Sequence, residues 1–200
     1  MNSLTSASAP TREKRGIFFE TNRAIFLFLF KLAGWRVKGE FPPDKKLVVI
    51  AAPHTSNWDL PFMLAVALYY RVNLRWMGKD ALFKGLFGGL MHALGGIPID
   101  RSKSNNVVDQ MIDIYGDADD LVVAIPPEGT RSKVRYWKTG FYNIAHGAGV
   151  RIALGYLDYK NKHGGVGAVL ETTGDYEADL KIIKDFYSGI TAKFEDKSQN

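Results

Sequence analysis

The stretch LVVIAAPHTSNWDLPFMLAVAL, residues 47–68, decides the expected fold and contains the first candidates for chemistry. Residues 47–52 are uninterrupted apolar residues, which predicts a strand buried on both faces. Residues 60–68 are almost all apolar and predict a mostly buried helix. His54 and Asp59 lie between them, and on one continuous helix they would point in different directions. They can meet only if His54 lies in the loop and Asp59 in the first helical turn.

Two interpretations of His54 and Asp59 remain open at this point. Histidine titrates at about pH 6.5 and can therefore accept a proton near neutrality. A carboxylate on its other ring nitrogen would select the tautomer and stabilise the imidazolium that forms. Alternatively, Ser56 to Asp59 fits a capping box, in which Asp59 only completes the start of a helix.

Composition and charge narrow the class of protein. A chain of 200 residues with 46% hydrophobic and 24% charged residues is typical of one globular domain. The absence of cysteine excludes disulfides and a cysteine nucleophile. Residues 1–46 carry nine basic and four acidic side chains, while residues 47–200 carry 17 of each. This basic segment favours an anionic membrane surface as partner over nucleic acid, because no zinc, helix-turn-helix or RNA-binding motif accompanies it.

The N-terminal region divides into two parts. Residues 1–15 form a polar tail that we expect to be disordered, without the apolar core of a signal peptide. Residues 16–38 predict an amphipathic helical arm at a membrane interface, with packing on the domain as an alternative that does not exclude it. The apolar run from Ala24 to Phe30 is far shorter than the roughly 20 residues of a membrane span. We expect a peripheral protein on the cytoplasmic face of a membrane.

Strand and helix patterns alternate over residues 39–190, which predicts an α/β layered domain with a largely parallel or mixed sheet flanked by helices. Residues 191–200 are expected to form a polar tail. Further strands are predicted at 72–77, 95–101, 121–125, 151–159 and 166–173, and further helices at 80–94, 106–115, 140–148 and 175–190.

Two other predicted strands also end in polar loops. Asp100 and Arg101 follow one, and Glu128 to Ser132 follow another. Ligands of α/β proteins bind beyond the carboxyl ends of strands. Arginine suits phosphate oxygens, and a Gly-Thr turn can present backbone N–H groups to an anion. With His54, these loops favour a metal-free transfer to a phosphorylated alcohol, although each alone could be an ion pair or an ordinary turn.

Three motifs in this order carry a resemblance to a known family. They are HTSNWD at 54–59, GGIPIDR at 95–101 and PEGTRS at 127–132. Over roughly residues 17–175, the chain resembles the glycerol-phosphate and lysophosphatidic acid acyltransferase family of phospholipid synthesis. It differs at Pro53, where many members have asparagine, and in lacking the family's proline-rich fourth motif. These differences leave the acyl acceptor open.

The resemblance implies a mechanism and its residues. His54 would be the general base on an acceptor hydroxyl that attacks the thioester of acyl-CoA or acyl carrier protein, and Asp59 would orient it. The acceptor would be a lysophospholipid such as 1-acylglycerol-3-phosphate, and no metal or cofactor beyond the acyl donor would be needed. Its phosphate and glycerol would be bound by Arg101, Glu128, Gly129, Thr130 and Arg131. Because a carboxylate repels phosphate, Glu128 would orient Arg101, Arg131 or a hydroxyl.

Three other functions stay open on sequence alone. The acceptor could be a lyso-lipid without phosphate, such as an aminolipid or a glycolipid. Water in its place would give a thioesterase. A lipid-binding membrane protein without catalysis is the third. The remaining histidines, His92, His146 and His163, have no partner at metal or triad spacing and are expected to be structural or exposed.

Overall fold

The computed structural model describes residues 17–99 and 106–198, and these form an α/β domain. The helices are α1 (Ile17–Leu32), α2 (Asp59–Tyr69), α3 (Gly88–Ala93), α4 (Asn106–Asp117), α5 (Gly140–Gly147) and α6 (Tyr176–Tyr187). The strands are β1 (Arg36–Lys38), β2 (Lys46–Ala52), β3 (Leu74–Lys79), β4 (Gly96–Ile99), β5 (Leu121–Ile125), β6 (Arg151–Asp158) and β7 (His163–Leu170). Two 3₁₀ turns lie at Asp80–Phe83 and Glu195–Lys197.

The strands form one mixed sheet in the order β1-β7-β6-β2-β5-β3-β4. Every neighbouring pair is parallel except β6 and β7, which form an antiparallel hairpin. The predicted α/β class, with a mixed sheet flanked by helices, is confirmed. β2 lies at the centre, and Val48 pairs with Val123 of β5 and Ile152 of β6. The central strands are apolar between their ends because helices cover both faces of the sheet.

Side chains of β2 alternate between two apolar layers. Val48 and Ile50 are fully buried in the layer that holds α4, α5 and α6. Leu47 and Val49 face the opposite layer, where Ala67 of α2 packs against the sheet. The α2 side therefore has a smaller core, and this is the side on which the candidate site opens.

The helix predicted from Asp80 to about Leu94 is wrong as one element. The chain instead forms the 3₁₀ turn Asp80–Phe83, an irregular link and the short helix α3. Gly85 lies in that link with φ +98°, a backbone conformation that glycine adopts readily and that ends a right-handed helix. Gly88 approaches the carbonyl of Phe83 so closely that a side chain there would clash.

β7 begins at His163 rather than at the predicted residue 166. Gly164 and Gly165, which suggest a loop in the sequence, pair in register with Val37 and Lys38 of β1. A side chain on Gly165 would collide with the Lys38 carbonyl. The end of the predicted N-terminal arm thus belongs to the sheet as its edge strand.

Helix α1 is attached to the domain by polar and aromatic contacts. Arg23 donates to the Leu68 carbonyl at the end of α2 at 2.7 Å. Four aromatic side chains also pack together, namely Phe30, Trp35, Phe62 and Tyr159. Trp35 stacks on Phe62 with ring centres 4.5 Å apart and meets Tyr159 edge-on at 4.9 Å. The opposite surface of α1 exposes apolar side chains to solvent, namely Ile25, Phe26, Phe28, Leu29 and Leu32. Among the described residues, no helix has the length and apolar character to cross a bilayer.

Candidate functional site

The site begins where β2 ends. The backbone leaves the strand at Ala52, passes through what we call the His54 loop (residues 53–58) and enters α2 at Asp59. His54 therefore lies in the loop and Asp59 in the first helical turn, the placement that lets the two side chains meet. His54 Nδ1 is 3.1 Å from Asp59 Oδ2. The His54 side chain is about a quarter exposed (26%), whereas that of Asp59 is buried (8%).

Asp59 receives hydrogen bonds on both carboxylate oxygens. Oδ2 accepts from His54 and from the backbone N–H groups of Thr55 and Ser56, both at 2.9 Å. Oδ1 accepts from the Tyr159 hydroxyl at 2.7 Å. Burial raises the pKa of Asp59, but the hydrogen bonds from His54, Tyr159 and Ser56 outweigh it and leave the pKa below its usual value. Asp59 is therefore ionised, and because it can only accept, it selects the tautomer of His54 that has its proton on Nδ1 and in which Nε2 is the acceptor.

The capping-box interpretation is half realised. The Asp59 carboxylate accepts from the Ser56 backbone, as a capping box requires. The reciprocal bond is missing, because Ser56 Oγ accepts from the Trp58 backbone N–H at 3.1 Å instead. The same carboxylate thus closes the His54 loop and contacts the imidazole ring.

Glu128 lies in a second loop, the Glu128 loop (residues 126–132), which follows β5. The side chain is buried, and its Oε1 accepts from the His54 backbone N–H at 3.1 Å. Within the described residues, Oε2 is buried without a hydrogen-bond partner. Burial raises the pKa of Glu128, although backbone N–H groups of Glu128 and His54 oppose the rise. Among the described residues, Glu128 thus binds the backbone of the His54 loop, a contact that the sequence did not predict.

The next residues of the Glu128 loop are exposed at the edge of a cavity. Gly129 has φ +64°, which favours glycine, and the end of the Lys138 side chain lies against it. Thr130 and Arg131 line the same cavity as His54 and Asp59. Five of the seven predicted site residues are thus brought to one cavity, and Glu128 lies behind it. Arg101 falls outside the described residues.

The cavity has a volume of about 500 Å³ and lies between α2 and the sheet. Polar side chains occupy the end formed by the His54 and Glu128 loops. The remaining wall is largely apolar, and it includes Phe41, Val49, Met63, Val66, Ala67, Val72, Leu74, Ala124 and Val166. A volume of this size is typical of small-molecule sites, which range over roughly 300–1,000 Å³.

Sequence reasoning missed two residues at this site. Lys79, the last residue of β3, lines the cavity and adds a cation to the one supplied by Arg131. Tyr159, the first residue after β6, donates to Asp59. Both stand at carboxyl ends of strands, so the rule that ligands bind at those ends would have included them. Tyr159 also lies 100 residues from Asp59 in the chain, too far for any local spacing to indicate the contact.

Chemically, the arrangement provides an imidazole oriented by an ionised carboxylate, cations at the same opening and an apolar interior. Across residues 17–99 and 106–198, no group of three or more histidine, aspartate or glutamate side chains is placed to bind a metal ion. The oriented base and the apolar interior fit a reaction in which a proton leaves a substrate with a long apolar portion.

Comparisons with known proteins agree with this geometry. The model of the acyltransferase family matches residues 35–153, more than half of the chain, and this range includes His54, Asp59 and the Glu128 loop. The fold is similar to the crystal structure of the 1-acyl-sn-glycerophosphate (LPA) acyltransferase PlsC from Thermotoga maritima, with a TM-score of 0.62. The similarity covers 88% of this chain and 81% of that chain at 16% sequence identity, a level that shows a common fold. A search of curated proteins found no match.

Proposed function

Because the chain belongs to the acyltransferase family, we propose that it transfers a fatty acyl group to a hydroxyl of a lysophospholipid such as 1-acylglycerol-3-phosphate. The acyl donor is acyl-CoA or acyl carrier protein, and the product belongs to phospholipid synthesis. The observation that carries the proposal is the His54–Asp59 pair at the polar end of an otherwise apolar cavity.

In the proposed reaction, His54 accepts one proton and later returns it. His54 Nε2 accepts the proton of the acceptor hydroxyl while its oxygen attacks the thioester carbonyl. The tetrahedral intermediate then loses the thiolate, which takes the proton back from the imidazolium, so that an ester and a thiol are formed. Asp59 stabilises the imidazolium between these steps. General-base catalysis of this kind contributes about 10²- to 10⁴-fold to the rate.

The acceptor's phosphate is bound at the rim of the cavity. Arg131 and Lys79 both line it and supply positive charge. Gly129 and Thr130 offer backbone N–H groups and a hydroxyl to the phosphate and glycerol oxygens. Arg101 is the further cation assigned to this phosphate by its motif. Glu128 acts on the His54 loop, whose backbone it binds, rather than on the phosphate.

The apolar part of the cavity accommodates an acyl chain. Met63 and Ala67 of α2 and Val49 of β2 form part of its wall. Each methylene buried there stabilises the complex by about 0.8 kcal/mol. An acyl chain is therefore the substrate portion that this wall binds best.

Membrane association is the second part of the proposal. The apolar surface of α1 includes Phe28 (65% exposed) and Leu32 (73% exposed). We define a second surface, the 82–90 surface, as Leu82, Leu86, Phe87 and Leu90, all of them more than half exposed. Leu82 also lines the cavity, so this surface adjoins the site. Together with the basic N-terminal segment, these surfaces support peripheral binding to an anionic membrane on its cytoplasmic face.

The experiment is an acyl-transfer assay in which labelled acyl-CoA, or acyl carrier protein that carries a labelled acyl group, is offered with each acceptor of a panel. The panel contains 1-acylglycerol-3-phosphate, a lyso-aminolipid, a lyso-glycolipid and water alone. We expect transfer to the phosphate-bearing acceptor and its loss in His54→Ala, by a factor of at least about 10². His146→Ala is the matched control, because His146 bonds Thr172 away from the site.

Each other result selects a different function. Preference for the aminolipid or glycolipid would contradict the phosphate site, and so would an unchanged acceptor KM in Arg131→Ala and Arg101→Ala. Thioester loss with water alone would indicate a thioesterase. Lipid binding without turnover would indicate a non-catalytic protein. Full activity of His54→Ala would overturn the mechanism.

A further inference from the structure

Tyr159 forms the closest contact to the Asp59 carboxylate. Its hydroxyl donates to Asp59 Oδ1 at 2.7 Å, compared with 2.9 Å for the two backbone donors and 3.1 Å for His54 on the other oxygen. The residue follows β6 directly, at the edge of the sheet where the His54 and Glu128 loops also begin. None of the three sequence motifs includes it.

The ionisation states of Tyr159 and Asp59 fix which of them donates this hydrogen bond and which accepts it. Burial, followed by the hydrogen bond and the charge of Asp59, raises the pKa of Tyr159 far above its usual value. The phenol therefore keeps its proton at any physiological pH. Asp59 is ionised and can only accept, so donor and acceptor cannot exchange roles. Hydrogen bonds to a charged acceptor are among the stronger ones in proteins.

Three separate parts of the chain hold the Tyr159 ring in place. Trp35, just before β1, meets it edge-on at 4.9 Å, and Phe62 of α2 meets it edge-on at 5.9 Å. The Tyr159 backbone N–H donates to the carbonyl of Thr191, after α6, at 2.9 Å. Lys193 Nζ lies 5.8 Å from the ring centre. The hydroxyl is thus presented to Asp59 from a ring with little freedom to turn.

This constraint matters because the three other donors to Asp59 among the described residues all act on Oδ2. A carboxylate held through one oxygen can still rotate about its Cβ–Cγ bond, and rotation would move Oδ2 away from His54 Nδ1. Binding Oδ1 separately prevents that rotation. We propose that Tyr159 is a positioning residue of the acyl-transfer reaction, which acts on His54 by fixing the orientation of Asp59. The inference rests on the proposed function, because it assigns Tyr159 a part in that same reaction.

The test begins with Tyr159→Phe, which removes the hydroxyl and keeps the ring contacts with Trp35 and Phe62. We expect kcat to fall by about tenfold or more, the effect of losing one hydrogen bond to a charged group. The KM of donor and acceptor should stay unchanged, because the hydroxyl contacts Asp59 rather than a substrate. An unchanged kcat, or a loss confined to KM, would overturn the inference.

A double-mutant cycle separates positioning from general stability. In an Asp59→Asn background, Tyr159→Phe should cause no further loss of kcat. The carboxylate that the Tyr159 hydroxyl orients is already absent from that background. Additive losses in kcat would contradict action through Asp59. Tyr115→Phe is the matched control: the buried Tyr115 hydroxyl donates to the Leu47 carbonyl at 2.7 Å, near the start of β2 and away from the site. It should lower Tm and leave kcat unchanged; equal losses of kcat in both variants would assign Tyr159 a structural role only.

Failure of the inference is distinguishable from failure of the proposed function. Active wild type, inactive His54→Ala and fully active Tyr159→Phe would remove the inference alone. Wild type without acyl transfer would remove both.

Discussion

At the residue scale, the structure shows a contact of Glu128 that the sequence does not indicate. In the PEGTRS motif, the Glu128 carboxylate lies three residues before Arg131, which suggests an interaction with an arginine. Its observed partner is the backbone N–H of His54, 74 residues away. Backbone donors are identical at every residue except proline, so no sequence pattern can identify which one a carboxylate will reach. The contact of His54 with Asp59, by contrast, follows from a short spacing and a predictable helix start.

Glu128 leads to a prediction about stability and pH. Its pKa is raised by burial, so the folded state prefers the protonated carboxyl. Its contribution to stability is therefore fully present below the usual glutamate pKa of about 4.3 and is lost as pH rises through the folded value. Glu128→Gln cannot ionise and does not lose this contribution, so its free energy of unfolding should increase relative to that of wild type from about pH 4 to neutral, which means that the variant becomes relatively more stable. Urea unfolding at a series of pH values measures this difference.

Comparing Glu128→Gln with wild type cancels the opposite contribution of Asp59, whose pKa is lowered. Glu171→Gln is the control, because Glu171 is exposed just after β7. Glu171→Gln removes one carboxyl group without removing a buried contact, so a change with pH seen only in Glu128→Gln would belong to the buried position. If the stability difference between Glu128→Gln and wild type does not change with pH, the Glu128 carboxyl titrates alike in the folded and unfolded states, which would contradict the prediction.

At the element scale, most strands and helices follow from apolar periodicity, and the exceptions have physical causes. The 80–94 segment has helical apolar content, but Gly85 takes a left-handed conformation that stops the helix. β1 and the first residues of β7 were not predicted as strands, because Gly164 and Gly165 resemble a loop and a strand of three residues has no detectable period. A side chain on Gly165 would meet the Lys38 backbone, and one on Gly164 would meet the side chains of Val66 and Leu157, contacts that are visible only in three dimensions.

Helix α2 gives a prediction about acyl-chain selection. Ala67 points from α2 into the cavity wall, so Ala67→Leu should shorten the space available to an acyl chain. Each methylene that is excluded costs about 0.8 kcal/mol, or roughly fourfold in kcat/KM. Long-chain donors should therefore lose activity relative to short-chain donors. Ala178→Leu, on the exposed surface of α6, should leave the ratio unchanged; an unchanged ratio in Ala67→Leu too would place the acyl chain elsewhere.

At the scale of the whole molecule, the apolar surfaces and the cavity lie on the same side of the sheet. α1 contacts α2, and Leu82 of the 82–90 surface lines the cavity beneath α2. α6 packs on the opposite layer through Ile183. The N-terminal arm was predicted from the sequence, but its attachment through Trp35 to Tyr159 was not, because the two residues are distant in the chain. Deleting residues 1–38 would therefore disturb Asp59 as well as any membrane contact, so point substitutions are the cleaner test.

Two pairs of exposed residues test the proposed membrane contact directly. We expect Phe28→Ser/Leu32→Ser and Leu86→Ser/Phe87→Ser each to weaken binding to anionic vesicles. Burial of one such side chain contributes about 1.5–3 kcal/mol, so each pair should reduce the partition coefficient by more than about tenfold. The thermal unfolding temperature should change little, because all four side chains are at least 65% exposed.

The control for these pairs is Ala178→Ser/Lys181→Ser on α6, which removes a positive charge from the opposite layer. Sedimentation with vesicles of increasing anionic lipid content measures the binding. If the control pair weakens binding as much as the apolar pairs, net charge alone brings the protein to the membrane. If only the α1 pair weakens it, the arm is the sole contact. Weaker vesicle binding by both apolar pairs would place the opening of the cavity at the bilayer. A lyso-lipid acceptor could then enter without crossing water, because its acyl chain would remain in an apolar environment throughout.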